Sequence, residues 1–339
     1  MKKKIAIIGS GIGGLTAANL FIKNSDFEII VYEKEEILSL DQGYGIQLAT
    51  NSISILNKIG FKNIDNNNIF NPLKLNFYSN NNKICDLDLE RFNKDSTKYT
   101  TLQRSVLIEF LKDKLFTNNF RFGKEVRRVS KIKDKLLINF VDNTNDLVDF
   151  IIVSDGVFSK TKSIIENKTI KPRYNDSVAI RAVIKLSEEF NYDSKNISLI
   201  MFPNAHVVIY PINKRNDFNL VCIAREKFSQ NYDIHSIIKK KILSKNKNLE
   251  NLFKSDLNLW PVYVSKKPIK SIYENVFYLG DAFYTFVPAL AQGASQSIEA
   301  AYELFNLLSD NKKNIQNIYF KKRLIRTNQI NKRSKFNYF

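Results

Sequence analysis

The chain has 339 residues, of which 44% are hydrophobic and 25% are charged, and its formal net charge is +18. This composition excludes wholesale disorder, and two distant cysteines, Cys85 and Cys222, exclude a disulfide scaffold and a CxxC zinc site. No apolar run reaches the length of a membrane span. We therefore expect a cytoplasmic protein with one large α/β domain and an insertion, or with two domains.

The N-terminus carries a glycine motif. The apolar stretch 4–8 predicts a short buried strand and 15–22 predicts a helix, with Gly9-x-Gly11-x-x-Gly14 at the turn between them. Gly9 would allow the tight turn, Gly11 the approach of a pyrophosphate, and Gly14 close packing of the helix on the strand. The helix N-terminus would offer free N–H groups to the phosphates. The context predicts a dinucleotide site for FAD or NAD; the alternative is a glycine-rich turn with no ligand.

A second predicted strand covers 27–32 and ends at Glu33. A carboxylate at this point can accept hydrogen bonds from the adenosine ribose hydroxyls. The N-terminal lysines and the apolar run after them also resemble a secretory signal. The run has no small-residue cleavage site, and its removal would delete the glycine motif, so we do not expect export.

Two later motifs narrow the choice of dinucleotide. A buried strand over 151–153 leads into an Asp-Gly element at Asp155, and a strand over 276–279 leads into a Gly-Asp element at Gly280 and Asp281. Together with the N-terminal glycines, these elements resemble the three fingerprints of the single-component FAD-dependent aromatic hydroxylases, the class A flavoprotein monooxygenases. The resemblance extends over nearly the whole chain. The sequence Ala-Gln-Gly-Ala, residues 291–294, is most similar to the salicylate and 3-hydroxybenzoate hydroxylase branch.

The resemblance implies FAD as the cofactor and NADH or NADPH as the co-substrate. Asp281 would bond the ribityl chain, and the amides of Gly293 and Ala294 would approach the flavin pyrimidine edge at the positive end of a helix. Arg104 would lie near the pyrophosphate or ribityl region, and Asp155 would support FAD and transient nicotinamide docking. The full cofactor-binding set expected from the motifs and the resemblance is Gly9, Gly11, Gly14, Glu33, Lys34, Arg104, Val126, Asp155, Gly280, Asp281, Gly293 and Ala294.

The resemblance also implies a reaction in which reduced FAD and O2 form a flavin hydroperoxide that attacks an electron-rich ring. A base near the substrate hydroxyl helps, because a phenolate is the better nucleophile. His206 and Tyr210 share one face of a predicted strand, and relatives carry a similar pair together with a Gln that corresponds to Gln292. We expect His206, with an ordinary pKa near 6.5, to be the base, and Tyr210 and Gln292 to orient the substrate. A hydrogen-bonded core histidine is the alternative.

Two departures from the family pattern bear on the site. Phe283 and Tyr284 stand where relatives usually have Ala-His, and we expect them to lie near the flavin and reshape the pocket. Lys162 replaces an arginine, which is expected to weaken a bidentate contact. Both changes bear on substrate identity and rate more than on FAD binding.

The C-terminus is strongly basic. Its nine lysines and arginines between 312 and 335 stand against one acid, Asp310. We interpret them as a solvated helical face that attracts anionic substrates; binding to a nucleic acid or membrane surface is the alternative. We expect a small aromatic substrate and O2 as partners, no nucleic acid and no membrane span, and a homodimer stays open.

The predicted fold is α/β: a three-layer Rossmann-like FAD-binding domain with an inserted sheet-rich substrate domain and a C-terminal helical tail. The expected boundaries are 1–75, 95–170 and 270–310 for the FAD-binding domain, 76–94 and 171–269 for the substrate domain, and 311–339 for the tail. Three alternatives to a hydroxylase of small phenolic acids stay open. They are a ubiquinone-biosynthesis-type hydroxylase, a reductase of the same fold that does not hydroxylate, and a nucleotide-binding protein without catalysis.

Overall fold

The computed structural model describes residues 2–38, 44–186, 192–310 and 312–336, so part of the predicted tail, residues 311 and 337–339, lies outside the described residues. The strands in chain order are β1 (Lys3–Ile8), β2 (Phe27–Tyr32), β3 (Gly45–Leu48), β4 (Ile69–Phe70), β5 (Lys74–Ser79), β6 (Asn82–Asp88), β7 (Thr100–Gln103), β8 (Phe120–Arg121), β9 (Val126–Ile132), β10 (Lys135–Phe140), β11 (Asn145–Val148), β12 (Phe150–Val153), β13 (Arg173–Lys185), β14 (Ile197–Phe202), β15 (Ala205–Pro211), β16 (Asp217–Arg225), β17 (Asn258–Val264) and β18 (Val276–Tyr278). The α-helices are α1 (Ile12–Phe21), α2 (Thr50–Lys58), α3 (Arg104–Lys112), α4 (Lys160–Ile165), α5 (Ile234–Ile238), α6 (Gly293–Ser309) and α7 (Ile315–Phe336).

One part of the molecule is built around a five-stranded parallel sheet in the order β18-β12-β1-β2-β8. Its strands are short apolar runs buried on both faces, as parallel strands require. Helices α1, α2, α3 and α6 cover one face, and the antiparallel sheet β9–β11 with α4 covers the other. This arrangement confirms the three-layer α/β prediction, with a small sheet as the third layer.

The other part of the molecule is built around a seven-stranded sheet in the order β17-β13-β16-β15-β14-β5-β6. One face packs against α5 and the helical turns that follow it. The apolar segment 197–212 is two strands, because Asn204 takes a left-handed turn with φ +62° between β14 and β15. Asn80, with φ +54°, forms the tip of the hairpin between β5 and β6. The domain boundaries stay a prediction.

The basic tail forms α7, and part of its charge is neutralised by α6. The guanidinium of Arg326 donates two hydrogen bonds to Glu299, of 2.8 and 3.0 Å. Arg323, only 3% exposed, lies 3.5 Å from Glu303 and donates to the side chain of Gln296. The expectation of a wholly solvated basic face is therefore wrong for these two arginines, which fasten α7 to α6.

None of the helices in the described ranges is both long and apolar enough to cross a membrane.

Candidate active site

A cleft of about 1770 Å³ lies between the carboxyl ends of the parallel strands and the open face of the seven-stranded sheet. In open α/β sheets this edge is where ligands bind. Most of the site residues predicted from the sequence line this cleft, and they come from both parts of the molecule. They are Gly9, Gly11, Glu33, Lys34, Arg104, Val126, Asp155, His206, Tyr210, Asp281, Gln292, Gly293 and Ala294. Gly14 and Gly280 do not line the cleft.

The three N-terminal glycines have different surroundings. Gly9 has φ +102°, and a Cβ there would lie 2.8 Å from the carbonyl oxygen of Ser154. A Cβ on Gly14 would lie 2.1 Å from the carbonyl oxygen of Gly9, so Gly14 permits close packing of α1 on β1. A Cβ on Gly11 would meet nothing within 4 Å. Gly11 therefore leaves space at the start of α1 that a ligand can fill.

Glu33 lies where β2 ends and is fixed by the glycine turn. Its Oε2 accepts hydrogen bonds from the backbone N–H of Ser10 at 2.9 Å and from the Ser10 hydroxyl at 2.6 Å. Lys34 points to solvent and pairs with Glu35 at 3.1 Å, and this hydrogen bond raises the pKa of Lys34. The carboxylate of Glu33 is thus held at the cleft wall with lone pairs left for hydroxyl donors.

The Asp-Gly and Gly-Asp elements lie side by side around a buried lysine. Burial raises the pKa of Asp155, and its Oδ1 has no hydrogen-bond partner in the described part of the chain. Asp281 lies deep in the protein but opens onto the cleft; burial raises its pKa to about 6, and nearby Lys162 opposes this. Lys162 donates to the carbonyl oxygen of Ala282 at 2.7 Å. Lys162 therefore joins the two motifs.

Phe283 and Tyr284 turn away from the cleft. They are 4% and 8% exposed, and the ring of Phe283 packs edge-on against Phe320 of α7. The Tyr284 hydroxyl accepts a hydrogen bond from Asn331 of α7 at 3.0 Å. The expectation that these two residues reshape the pocket is therefore wrong, because their side chains anchor α7.

The segment before α6 brings backbone donors to the cleft. Ala291 has a left-handed φ of +50°, and the first hydrogen bond of the helix runs from the N–H of Gln296 to the carbonyl of Gln292. The amides of Gly293 and Ala294 precede that bond, and a Cβ on Gly293 would meet nothing within 4 Å. The helix thus presents N–H groups and its positive dipole end to the cleft.

His206 and Tyr210 lie on the opposite wall, on the cleft-facing side of β15. Burial lowers the pKa of His206 to about 4, well below the ordinary value we expected, so its imidazole is neutral at pH 7. Burial raises the pKa of Tyr210, while Gln47 and Arg181 beside it act in the opposite direction. Gln47 also accepts a hydrogen bond from the Tyr99 hydroxyl at 2.7 Å.

Arg181 on β13 is a cleft residue to which the motifs assigned no role. Its guanidinium is deeply buried, and burial lowers its pKa. Arg104 lies near enough for the two cations to interact, and burial and Arg181 both lower the pKa of Arg104. One signal was available in the sequence: Arg181 interrupts an otherwise apolar strand. Tyr44 and Trp260, in edge-to-face contact at 4.9 Å between ring centroids, also line the cleft.

Comparisons with known proteins agree with this geometry. Residues 7–42 match the family described as NAD(P)-binding Rossmann-like domain. The chain is 23% identical over 321 residues to 3-amino-4-hydroxybenzoate 2-monooxygenase of Streptomyces cremeus, and the alignment covers 90% of this chain and 78% of that one. It is 22% identical over 321 residues to 3-hydroxybenzoate 6-hydroxylase of Klebsiella oxytoca, covering 89% and 79%.

A solved structure shows the same fold. The crystal structure of HpxO from Klebsiella pneumoniae, complexed with FAD and uric acid, superposes with a TM-score of 0.87 at 18% identity, over 99% of this chain and 87% of that one. The sequence relatives act on differently substituted rings at similar identity, so identity alone does not select one branch. The sequence matches and the fold together confirm the resemblance that the three motifs indicate: over most of its length the chain is similar to FAD-dependent aromatic monooxygenases.

Proposed function

We propose that this protein is an FAD-dependent monooxygenase that uses NADH or NADPH and O2 to hydroxylate a small aromatic substrate of the phenolic acid type. One observation carries the proposal: most of the residues expected to hold the cofactor and all three expected to hold the substrate line one continuous cleft. The names of the sequence relatives, a hydroxybenzoate monooxygenase and a hydroxybenzoate hydroxylase, support the substrate class.

The residues of the parallel-sheet wall fit FAD. The open space at Gly11 and at Gly293 allows close approach of a ligand to the backbone, and Glu33 offers an acceptor for ribose hydroxyls. The unpartnered Oδ1 of Asp155 and the carboxylate of Asp281 offer further acceptors. Bound FAD would supply the redox chemistry, taking electrons from NAD(P)H and activating O2 for transfer of one oxygen atom to the ring.

The opposite wall would handle the substrate. The neutral imidazole of His206 can accept a hydrogen bond from a phenol and take its proton as the ring is attacked. Tyr210 and Gln292 would hold the ring in place. A pKa of about 4 makes His206 a weak base, and a phenolate held beside it would raise that pKa by attraction between opposite charges.

The experiment begins with FAD uptake by the purified protein, followed by NAD(P)H oxidation in the presence of hydroxybenzoates. Labelled O2 should place one labelled oxygen atom in the product. The variant His206→Ala should keep FAD and its reduction by NAD(P)H but yield less product per NAD(P)H consumed. Substrate turnover without O2 consumption would instead indicate a reductase of the same fold, and a protein that binds no FAD would overturn the proposal. Hydroxylation by His206→Ala at the parental rate would remove the base assignment.

A further inference from the structure

One charge stands alone on the wall formed by the seven-stranded sheet. Among the described residues of that wall, Arg181 is the only one that is charged at neutral pH, because burial keeps His206 neutral. The carboxylates that line the cleft, among them Asp155 and Asp281, belong to the opposite side. The wall around Arg181 is largely aliphatic and aromatic.

Arg181 has no internal counter-ion in the described part of the chain. Its Nε is buried and has no hydrogen-bond partner, and a nearby charged residue that also lines the cleft is a second cation, Arg104. A buried guanidinium with unused donors costs free energy unless an acceptor is supplied. Two cations in mutual repulsion increase the attraction for an anion placed between them. The cleft therefore lacks one negative group at this point.

The sheet provides a place for a ring beside Arg181. Lateral neighbours across three strands, Arg181, Val221 and Val208, form one row, and Leu199 continues it. All four line the cleft, so the row is a cation followed by an aliphatic floor. His206 lies two residues from Val208 on the same face. With about 4.8 Å between strands and about 3.3 Å per residue, the Cα atoms of Arg181 and His206 are about 12 Å apart, a gap that one substituted ring can bridge.

We propose that Arg181 is the residue that selects the substrate, by binding a carboxylate carried on the aromatic ring. The ring lies over Val221 and Val208, and its hydroxyl group meets His206. Guanidinium and carboxylate match in shape, since two parallel N–H···O bonds form at once. This inference rests on the proposed function and adds to it the residue that recognises the acid group of the substrate.

The test compares acids with their uncharged amides on FAD-loaded protein without reductant. The probes are 3-hydroxybenzoate, 4-hydroxybenzoate and salicylate, each against the corresponding amide, with binding followed by the change in flavin absorbance. The preferred acid should bind about tenfold to hundredfold more tightly than its amide, the range for a charged hydrogen bond. Arg181→Met should bring that ratio close to one while FAD content is unchanged, and Arg181→Lys should keep part of it. Lys185→Met removes an exposed cation of the same strand that pairs with Asp217 and does not line the cleft; this variant is the matched control and should keep the parental ratio.

The outcomes separate the two proposals. Failure to take up FAD would remove the proposed function and with it this inference. FAD-loaded protein that binds acids and amides equally, or that binds neither form of any ring, would overturn the assignment of Arg181 alone. So would an Arg181→Met variant that keeps the parental ratio, or one that no longer takes up FAD, since Arg181 would then serve the cofactor and not the substrate.

Discussion

The two walls of the cleft are built from different parts of the chain. On the parallel-sheet side, backbone groups approach the ligand directly at the turn at Gly9, at the open start of α1 at Gly11, and at the amides of Gly293 and Ala294. On the side of the seven-stranded sheet, the backbone N–H and C=O groups bond to neighbouring strands, so side chains such as those of Arg181 and His206 face the ligand. The first wall fits a constant cofactor, and the second can change its substrate by single substitutions that leave the sheet intact.

The largest effect is expected where the backbone wall has no spare space. In Gly14→Val, the new Cβ would lie 2.1 Å from the carbonyl oxygen of Gly9 and 2.6 Å from the Ser154 hydroxyl. Neither the carbonyl nor the packed strand can move away, so we expect a loss of more than about 3 kcal/mol in the free energy of unfolding. Urea unfolding of the cofactor-free protein measures it. An unchanged urea midpoint would show that α1 does not pack on β1 as described.

Gly11→Val tests the open part of the same motif and serves as the matched partner of Gly14→Val. Gly11 has φ −75°, which valine adopts, and its Cβ would face empty space, so the fold should be unaffected. The added side chain would occupy the space left for the pyrophosphate, and FAD affinity should fall about a hundredfold, close to 2.7 kcal/mol. Gly11→Ala should lose less FAD affinity, because its added side chain is smaller. Measurement of FAD affinity by fluorescence quenching decides it, and parental affinity in Gly11→Val would contradict the proposed pyrophosphate position.

The same contrast explains what the sequence could predict. The backbone wall depends on local spacing: the strand, the glycine turn and the helix are neighbours in the chain. The structure has them in the predicted order, although the helix begins at Ile12 and includes Gly14, which was expected in the turn. The lysine between the two aspartates could be noticed only as a departure, because its contact with Ala282 joins segments 120 residues apart. The role of Arg181 depends on strand order, since its row includes residues from three other strands. The direction of Phe283 and Tyr284 was missed because α7 covers them.

On the side-chain wall, His206 predicts a pH effect on stability. Its folded-state pKa of about 4 lies below the ordinary 6.5, so the unfolded chain binds this proton first as pH falls. The stability it contributes is present above pH 6.5 and is lost between 6.5 and 4, on the order of 2 kcal/mol. Glutamine does not titrate, so between pH 7 and pH 4 the free energy of unfolding of His206→Gln should rise by about this amount relative to that of the parent. Unfolding free energies at both pH values measure it, and a constant difference would show that His206 is solvated.

Asp281 predicts a smaller effect of opposite sign. Its folded-state pKa of about 6 lies above the ordinary 3.8, so its favourable contribution is present at low pH and is lost as pH rises through 6. Because the carboxylate opens onto the cleft, solvent reduces the cost, and we expect about 1 kcal/mol. Asp281→Asn should therefore stabilise the FAD-free protein at pH 8 but not at pH 4, whereas Asp256→Asn, at a carboxylate outside the cleft, should change little at either pH. Equal stability of Asp281→Asn and the parent at pH 8 would mean that Lys162 already neutralises this carboxylate, and the backbone wall would then carry an ion pair instead of a desolvated acid.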